Sequence, residues 1–209
     1  VFEESELDLV RQLNLWLVVS SSHQVEWIVG SQSNFQFNVF VKIDTGMGRL
    51  GFQDDDIKEV IALLENSKKV ESITLMSHFS SADDLSSQTT KRQLNKMNSL
   101  TSSKNYQSSL ANSAAVMAYS DSHAKYIRPG IMLYGASPFP FSKDFNALVP
   151  AMTLSSSIIS IKSFKQGQSI GYGERYVCKK DTMIGVVAIG YGDGYPRSAK
   201  DGTPVFING

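Results

Sequence analysis

Short apolar runs alternate with amphipathic stretches over the first two thirds of the chain, and that rhythm predicts a repeating βα pattern. Leu15-Trp16-Leu17-Val18-Val19 is a compact run suited to a strand buried on both faces, with a short helix over residues 23–29. A strand over 39–44 precedes a helix over 55–65, where Ile57, Val60, Ile61 and Leu64 recur at helical spacing behind Asp54, read as the N-cap. A strand over 72–79 precedes a polar helix near 86–102. A strand over 106–111 runs into a helix over 113–119, and a strand over 126–134 closes the series. Such repetition predicts an α/β fold with a parallel sheet, most simply part of a (β/α)8 barrel.

Five strands are too few for that barrel. After Pro138-Phe139-Pro140 the rhythm changes: residues 152–161, 167–176 and 183–189 read as short strands separated by glycine and charged turns. Two units are therefore expected, a partial barrel over 1–140 and part of a mostly β domain over 145–209. The chain opens on Val1 and stops at Gly209 just after an apolar Pro-Val-Phe-Ile run, so both ends read as cuts through a longer protein.

Composition narrows the function classes. Lys+Arg and Asp+Glu balance at 20 each, which gives no electrostatic footprint for nucleic acid or a membrane surface. One cysteine, Cys178, excludes an internal disulfide and fits a reducing, cytoplasmic compartment. No apolar stretch suffices to span a bilayer and no signal-peptide pattern opens the chain. No metal-ligand spacing stands out.

Polar groups collect at the predicted strand ends, where a barrel carries its site: Lys42, Asp44 and Arg49, then His78, then Asn112 and Ser113, then Arg128 and Gly130. Gly46, Gly48 and Gly51 fit G-x-G-x-x-G, but the helical pattern begins later. Met47, Arg49 and Leu50 also fill the slots where a pyrophosphate would lie against bare backbone, so a dinucleotide fold is set aside. Asn112-Ser113 opens a helix, an arrangement suited to an anion or to simple capping by Ser113. His23 and His123 sit in polar contexts and are assigned to the surface.

Several stretches resemble the alanine racemase family, in order along the chain. They are Phe-Asn-Val-Phe-Val-Lys-Ile-Asp-Thr-Gly-Met-Gly-Arg-Leu-Gly-Phe over 37–52, Ser-His-Phe-Ser-Ser-Ala-Asp over 77–83 and Leu-Ala-Asn-Ser-Ala-Ala over 110–115. Ile-Arg-Pro-Gly-Ile-Met-Leu-Tyr-Gly over 127–135, Gly-Tyr-Gly over 171–173 and Ile-Gly-Tyr-Gly-Asp-Gly-Tyr-Pro-Arg over 189–197 complete the set. The resemblance implies a pyridoxal 5′-phosphate enzyme that interconverts L- and D-alanine by two-base proton transfer at Cα, supplying D-alanine for peptidoglycan. It implies that the five strands are the fourth to eighth of the barrel. Asn112, Ser113, Gly130 and Ile131 would hold the cofactor near its phosphate, Arg128 would face the pyridine nitrogen and Arg49 the phenolic oxygen, and His78 would lie near the ring. Lys42 matches a position often carbamylated in that family, and by the same resemblance Tyr191 would line the substrate entrance and Tyr172 would be the catalytic base.

A racemase needs an acid/base on each face of the carbanion. Tyr172 falls in the β domain, so by resemblance it reaches the barrel mouth of a second subunit in a head-to-tail homodimer. The family's Schiff-base lysine has no match among these 209 residues, so the chain alone is expected to be inactive. Two alternatives stay open: a broad-specificity amino-acid racemase, and a non-catalytic pyridoxal-phosphate-binding module. An incomplete barrel would also leave an apolar edge near Leu15–Val19, inviting aggregation or pairing.

Overall fold

The computed structural model describes residues 2–102, 104–145 and 147–207. They divide into two compact units, Val1–Met152 and Thr153–Gly209. In the first unit a helix that the sequence pattern does not announce, α1 (Leu7–Leu13), leads into β1 (Leu17–Val19) and α2 (Ser22–Val29). Then come β2 (Phe37–Lys42), α3 (Asp54–Asn66), β3 (Val70–Met76), α4 (Thr89–Ser102), β4 (Gln107–Ser109) and α5 (Ser113–Ala118). The four strands form one parallel sheet in the order β1-β2-β3-β4, with Leu17 opposite Val39, Lys42 opposite Met76, and Met76 opposite Ser109.

Alternation along β2 sorts its side chains by face. Phe37, Val39 and Val41 are buried, while Asn38, Phe40 and Lys42 are half-buried. The buried set joins Ile28, Ile57, Leu64 and Met97 of the helices in one core. On the opposite face Trp16 and Tyr126 both pack on Phe40 and on each other, with ring centroids 5.7 Å apart for the outer pair. Four strand spacings on a flat sheet would separate them by about 19 Å. The sheet is therefore strongly curled, with the aromatic rings on its concave side.

Two further details of the first unit depart from the sequence pattern. The last expected strand, 126–134, is reduced to a parallel bridge between Ser109 and Tyr126, followed by a 3-10 turn at Ile131–Tyr134. Arg128 still donates its N–H to Ala111 O at 2.8 Å, but Pro129 has no N–H with which to continue the ladder. Asp54 is the first helical residue of α3 rather than its cap. Gln53 takes the cap position without a side-chain bond, and Asp54, Asp55 and Asp56 instead place negative charge in the first turn.

In the second unit β5 (Ile158–Phe164) pairs antiparallel with β8 (Thr182–Val187), and β6 (Ser169–Ile170) with β7 (Tyr176–Val177). The expected strand over 167–176 is interrupted by a turn at Tyr172–Glu174, because Gly171 and Gly173 adopt φ of 80° and 68°. Cys178 is the one buried hydrophobic residue of this unit among those described, while Ile159, Ile161 and Met183 are exposed. Among the described residues no helix is long and apolar enough to cross a membrane.

Candidate active site

The C-terminal ends of β2, β3 and β4 lie level with one another, which brings Lys42, the Ser77-His78 turn and Ser109 to one rim of the sheet. Arg128 enters from the segment beyond the Tyr126 bridge. Its Nη1 donates to Ser109 Oγ and its Nη2 to the carbonyls of Ser77 and Leu110. All three acceptors are neutral, and among the described residues no carboxylate pairs with this guanidinium. Its Nε–H has no protein acceptor among those residues. A strand-end salt bridge is thereby replaced by an arginine braced from behind, with the Nε–H and one Nη1–H left for something else.

Charge shapes the rest of the rim. Burial, then the Arg128 and Arg49 guanidinium groups, lower the Lys42 ammonium to about 8 against the opposing pull of Asp44. Burial, then Lys42, Arg128 and Arg49, push the His78 imidazole down to about 4. At neutral pH His78 is therefore uncharged and sits within the field of three cationic side chains.

Asp44 does not balance them. Its carboxylate accepts the N–H groups of Gly46 (2.9 Å), Met47 (2.9 Å) and Gly48 (3.0 and 3.1 Å). Burial opposes its ionisation, but those N–H groups and Lys96 prevail and hold the carboxyl below its ordinary range. The amides that would cradle a phosphate in a dinucleotide loop are thus already taken by the chain's own carboxylate. The loop then doubles back: Asp44 N–H donates to Phe52 O at 3.0 Å and Phe52 N–H to Lys42 O at 2.9 Å, leaving Arg49 exposed at the tip.

Asn112, not Ser113, caps α5, accepting the Ala115 N–H at 3.0 Å through its side chain. Ser113 is freed for another task. Its Oγ accepts the N–H of Gly130 at 2.8 Å and of Met132 at 3.4 Å, tying the start of α5 to the Arg128-Pro129-Gly130 loop. Two accepted bonds leave the hydroxyl proton available to an external acceptor. Ile131 follows, exposed, in the 3-10 turn.

Tyr172 and Tyr191 belong to the second unit. Both are exposed and line an open groove of about 610 Å³ with Arg175, Tyr176 and Arg197, whose guanidinium lies over the Tyr191 ring at 5.8 Å. His23 is exposed, and the exposed His123 contacts the Val116 carbonyl through Nε2 at 2.9 Å. Sequence reasoning missed Thr45, Ser77, Gln93 and Ser109, which brace the rim from beneath. The available signal was polar residues at core-facing positions: Thr90 and Gln93 share the buried stripe of α4 with Leu94 and Met97.

Family comparison gives this arrangement its context. The alanine racemase N-terminal domain model matches residues 1–138, and the C-terminal domain model matches 151–209. The chain belongs to the alanine racemase family. An alanine racemase of Photobacterium profundum is 43% identical over 210 residues, covering 98% of this chain and 58% of that protein. The biosynthetic alanine racemase of Pseudomonas aeruginosa superposes with a TM-score of 0.86 at 39% identity, covering 97% of this chain and 57% of that one. A Bartonella henselae alanine racemase with covalently bound pyridoxal phosphate shares the fold at a TM-score of 0.75 and 24% identity, covering 94% of this chain and 55% of that one. The chain thus spans about 58% of the length of the curated relatives it matches. Alanine racemases depend on pyridoxal 5′-phosphate, the cofactor against which the rim can be tested.

Proposed function

We propose that this chain supplies most of the cofactor cradle of an alanine racemase, and that the whole protein interconverts L- and D-alanine. The observation that carries the reading is the rim itself: Arg128 braced by neutral acceptors, beside Lys42 and an uncharged His78, with the Asp44 carboxylate occupied by the amides of its own loop. Such a surplus of positive charge suits an anionic ligand.

The residues present fit pyridoxal 5′-phosphate. The Ser113 hydroxyl and the Gly130 loop would receive the phosphate with Asn112 and Ile131 beside them, Arg128 Nε–H would donate to the pyridine nitrogen, and Arg49 would reach the phenolic oxygen. When bound, the cofactor withdraws electrons from the amino acid's Cα and makes its proton removable. Arginine keeps its own proton and gives none to the ring nitrogen, so the ring stays a moderate electron sink, suited to removing and returning one proton. Tyr172 would act as acid/base on one face of Cα, and Tyr191 would line the approach.

A lysine near 8 presents appreciable free amine at neutral pH, the form that adds carbon dioxide. That supports Lys42 as the carbamylated position, where the resulting anion would orient Arg49. The curled parallel sheet supports a reading as barrel strands four to eight over 1–140, with part of the β domain over 145–209. The exposed Tyr172 and the thinly covered second unit support completion by a second subunit in a head-to-tail homodimer. We place the enzyme in the cytoplasm, feeding cell-wall synthesis.

The test is racemisation by the whole protein in deuterated water. Both alanine enantiomers should exchange Cα hydrogen, and Tyr172→Phe should retain exchange from only one enantiomer while the cofactor's visible absorbance survives dialysis. Full racemisation by Tyr172→Phe would remove that residue from the mechanism. Cofactor that washes out of the unaltered protein would remove the racemase reading itself.

A further inference from the structure

Gln93 lies on α4, outside the rim, yet its side chain is almost fully buried and makes four hydrogen bonds. Its Nε2 donates to the His78 carbonyl at 3.0 Å and to Thr45 Oγ1 at 3.1 Å. Its Oε1 accepts from Ser80 N–H at 3.0 Å and Ser80 Oγ at 3.2 Å. A peptide N–H only donates and a carbonyl only accepts, so Ser80 and His78 between them fix which end of the amide is oxygen. The chain of bonds continues inward. Thr45 Oγ1 lies 2.7 Å from Ser77 Oγ, Ser77 Oγ donates to Ile43 O at 2.9 Å, and the Ser77 carbonyl accepts from Arg128. One turn further along α4, Lys96 holds the Asp44 carbonyl at 3.3 Å and the Asp54 carboxylate at 2.8 Å, gripping both ends of the loop that carries Arg49.

We infer that Gln93 is a positioning residue that latches the Arg49 loop to the Ser77-His78 turn, so that Arg49, His78 and Arg128 share one frame. The inference rests on the racemase reading for its catalytic consequence, though the latch itself does not. Only a carboxamide supplies two donors toward Thr45 and His78 while accepting from Ser80. Methionine fills the same volume without those bonds, and an ionised glutamate would present acceptors to acceptors.

The experiment compares Gln93→Met and Gln93→Glu with the unaltered whole protein, loaded with pyridoxal 5′-phosphate. Limited trypsin digestion reads the latch directly: cleavage after Arg49 should rise about tenfold in Gln93→Met, the effect of losing the one buried bond that reaches this loop, to Thr45, while cleavage after Lys68 stays unchanged. In racemisation, kcat should fall at least tenfold with the KM for alanine within about twofold, since a misplaced group hurts the chemistry before it hurts binding. Gln93→Glu should recover part of that kcat toward acidic pH, where the carboxyl regains a donor, and Gln93→Met should not. Equal acceleration of cleavage at both sites, an unchanged Arg49 site, or identical pH profiles for the two variants would overturn the latch. If the unaltered protein fails to racemise alanine, the racemase reading falls and the digestion still decides the latch.

Discussion

Substituting Gly51 by alanine should damage the first unit far more than the same change at Gly48, although both glycines lie in one loop at positive φ. At Gly51 φ is 119°, and a Cβ would stand 2.8 Å from Asp44 N, 2.9 Å from Ile43 C and 2.9 Å from Lys42 O. All three are main-chain atoms at the end of β2, held by the Asp44–Phe52 and Phe52–Lys42 hydrogen bonds, so no side-chain rotation relieves the contact. Backbone strain of about 2 kcal/mol and overpacking of about 2 kcal/mol make the loss about 4 kcal/mol. For a unit of this size each kcal/mol lowers the midpoint by about 2–4 °C, so the Gly51→Ala midpoint should fall by about 8–16 °C. At Gly48 φ is 68° and nothing lies within 4 Å of the added carbon, so only the left-handed backbone penalty of about 1 kcal/mol remains. Thermal unfolding followed by circular dichroism on the two variants measures the difference. Equal midpoints, or a milder loss at Gly51, would show that the loop does not pack against the strand end as described.

Stability should also fall as pH drops from 6.5 toward 4, because His78 titrates near 4 in the folded chain and near 6.5 when unfolded. Above that window both states are neutral and the group contributes nothing; within it only the unfolded chain takes the proton. The shift corresponds to roughly 3 kcal/mol, which solvent screening of a half-exposed ring reduces to about 1–2 kcal/mol. Urea unfolding at pH 7 and 4.5 should show this loss in the unaltered protein, and His78→Gln should lack it. Ser113→Ala strips the acceptor from the Gly130 and Met132 amides, so pyridoxal phosphate binding by absorbance titration should weaken about tenfold; unchanged binding would detach Ser113 from the cradle. Bicarbonate should raise the thermal midpoint of the unaltered protein at pH 8, and the increment should vanish in Lys42→Ala, if the lysine's free amine is what reacts.

The sequence pattern located every strand of the parallel sheet because buried strands are short apolar runs, and Val39, Val41 and Leu75 leave little alternative. It placed the strand-end residues for the same reason: a side chain one residue beyond such a run must emerge at the sheet's edge. What it overextended was the segment after Tyr126, where apolar character continues through Ile131 and Leu133 but Pro129 denies the hydrogen bond. What it missed was the bracing. Thr45, Ser77 and Ser109 carry no periodic signal, and Gln93 looked like one more polar residue on a polar helix. Their importance comes from contacts 13 to 51 positions apart in the chain, which local pattern cannot encode. The cap of α5 shows the same limit, since Asn112 and Ser113 are equally good caps in isolation and only the nearby Gly130 N–H decides which hydroxyl or amide does what.

The electrostatics of the rim follow from how Asp44, the acid whose charge reaches Lys42, engages its carboxylate. Had Asp44 been free to face Lys42 or Arg128, the cluster would be a closed ion pair, stable alone and indifferent to ligands. Instead three backbone amides consume its carboxylate, and the glycines that make this possible are the ones that resemble a phosphate loop. Positive charge is therefore left uncompensated on half-buried side chains, and burial first, then the neighbouring cations, lower Lys42 and His78. An anion arriving there, or an anion made on Lys42 itself, compensates that charge, so binding is favoured before any specific contact forms. On the proposed reading, the loop sequence Asp44-Thr45-Gly46-Met47-Gly48 sets affinity by removing a competitor, while Gln93 beneath it and Ser109 behind it set the geometry into which the ligand would fit.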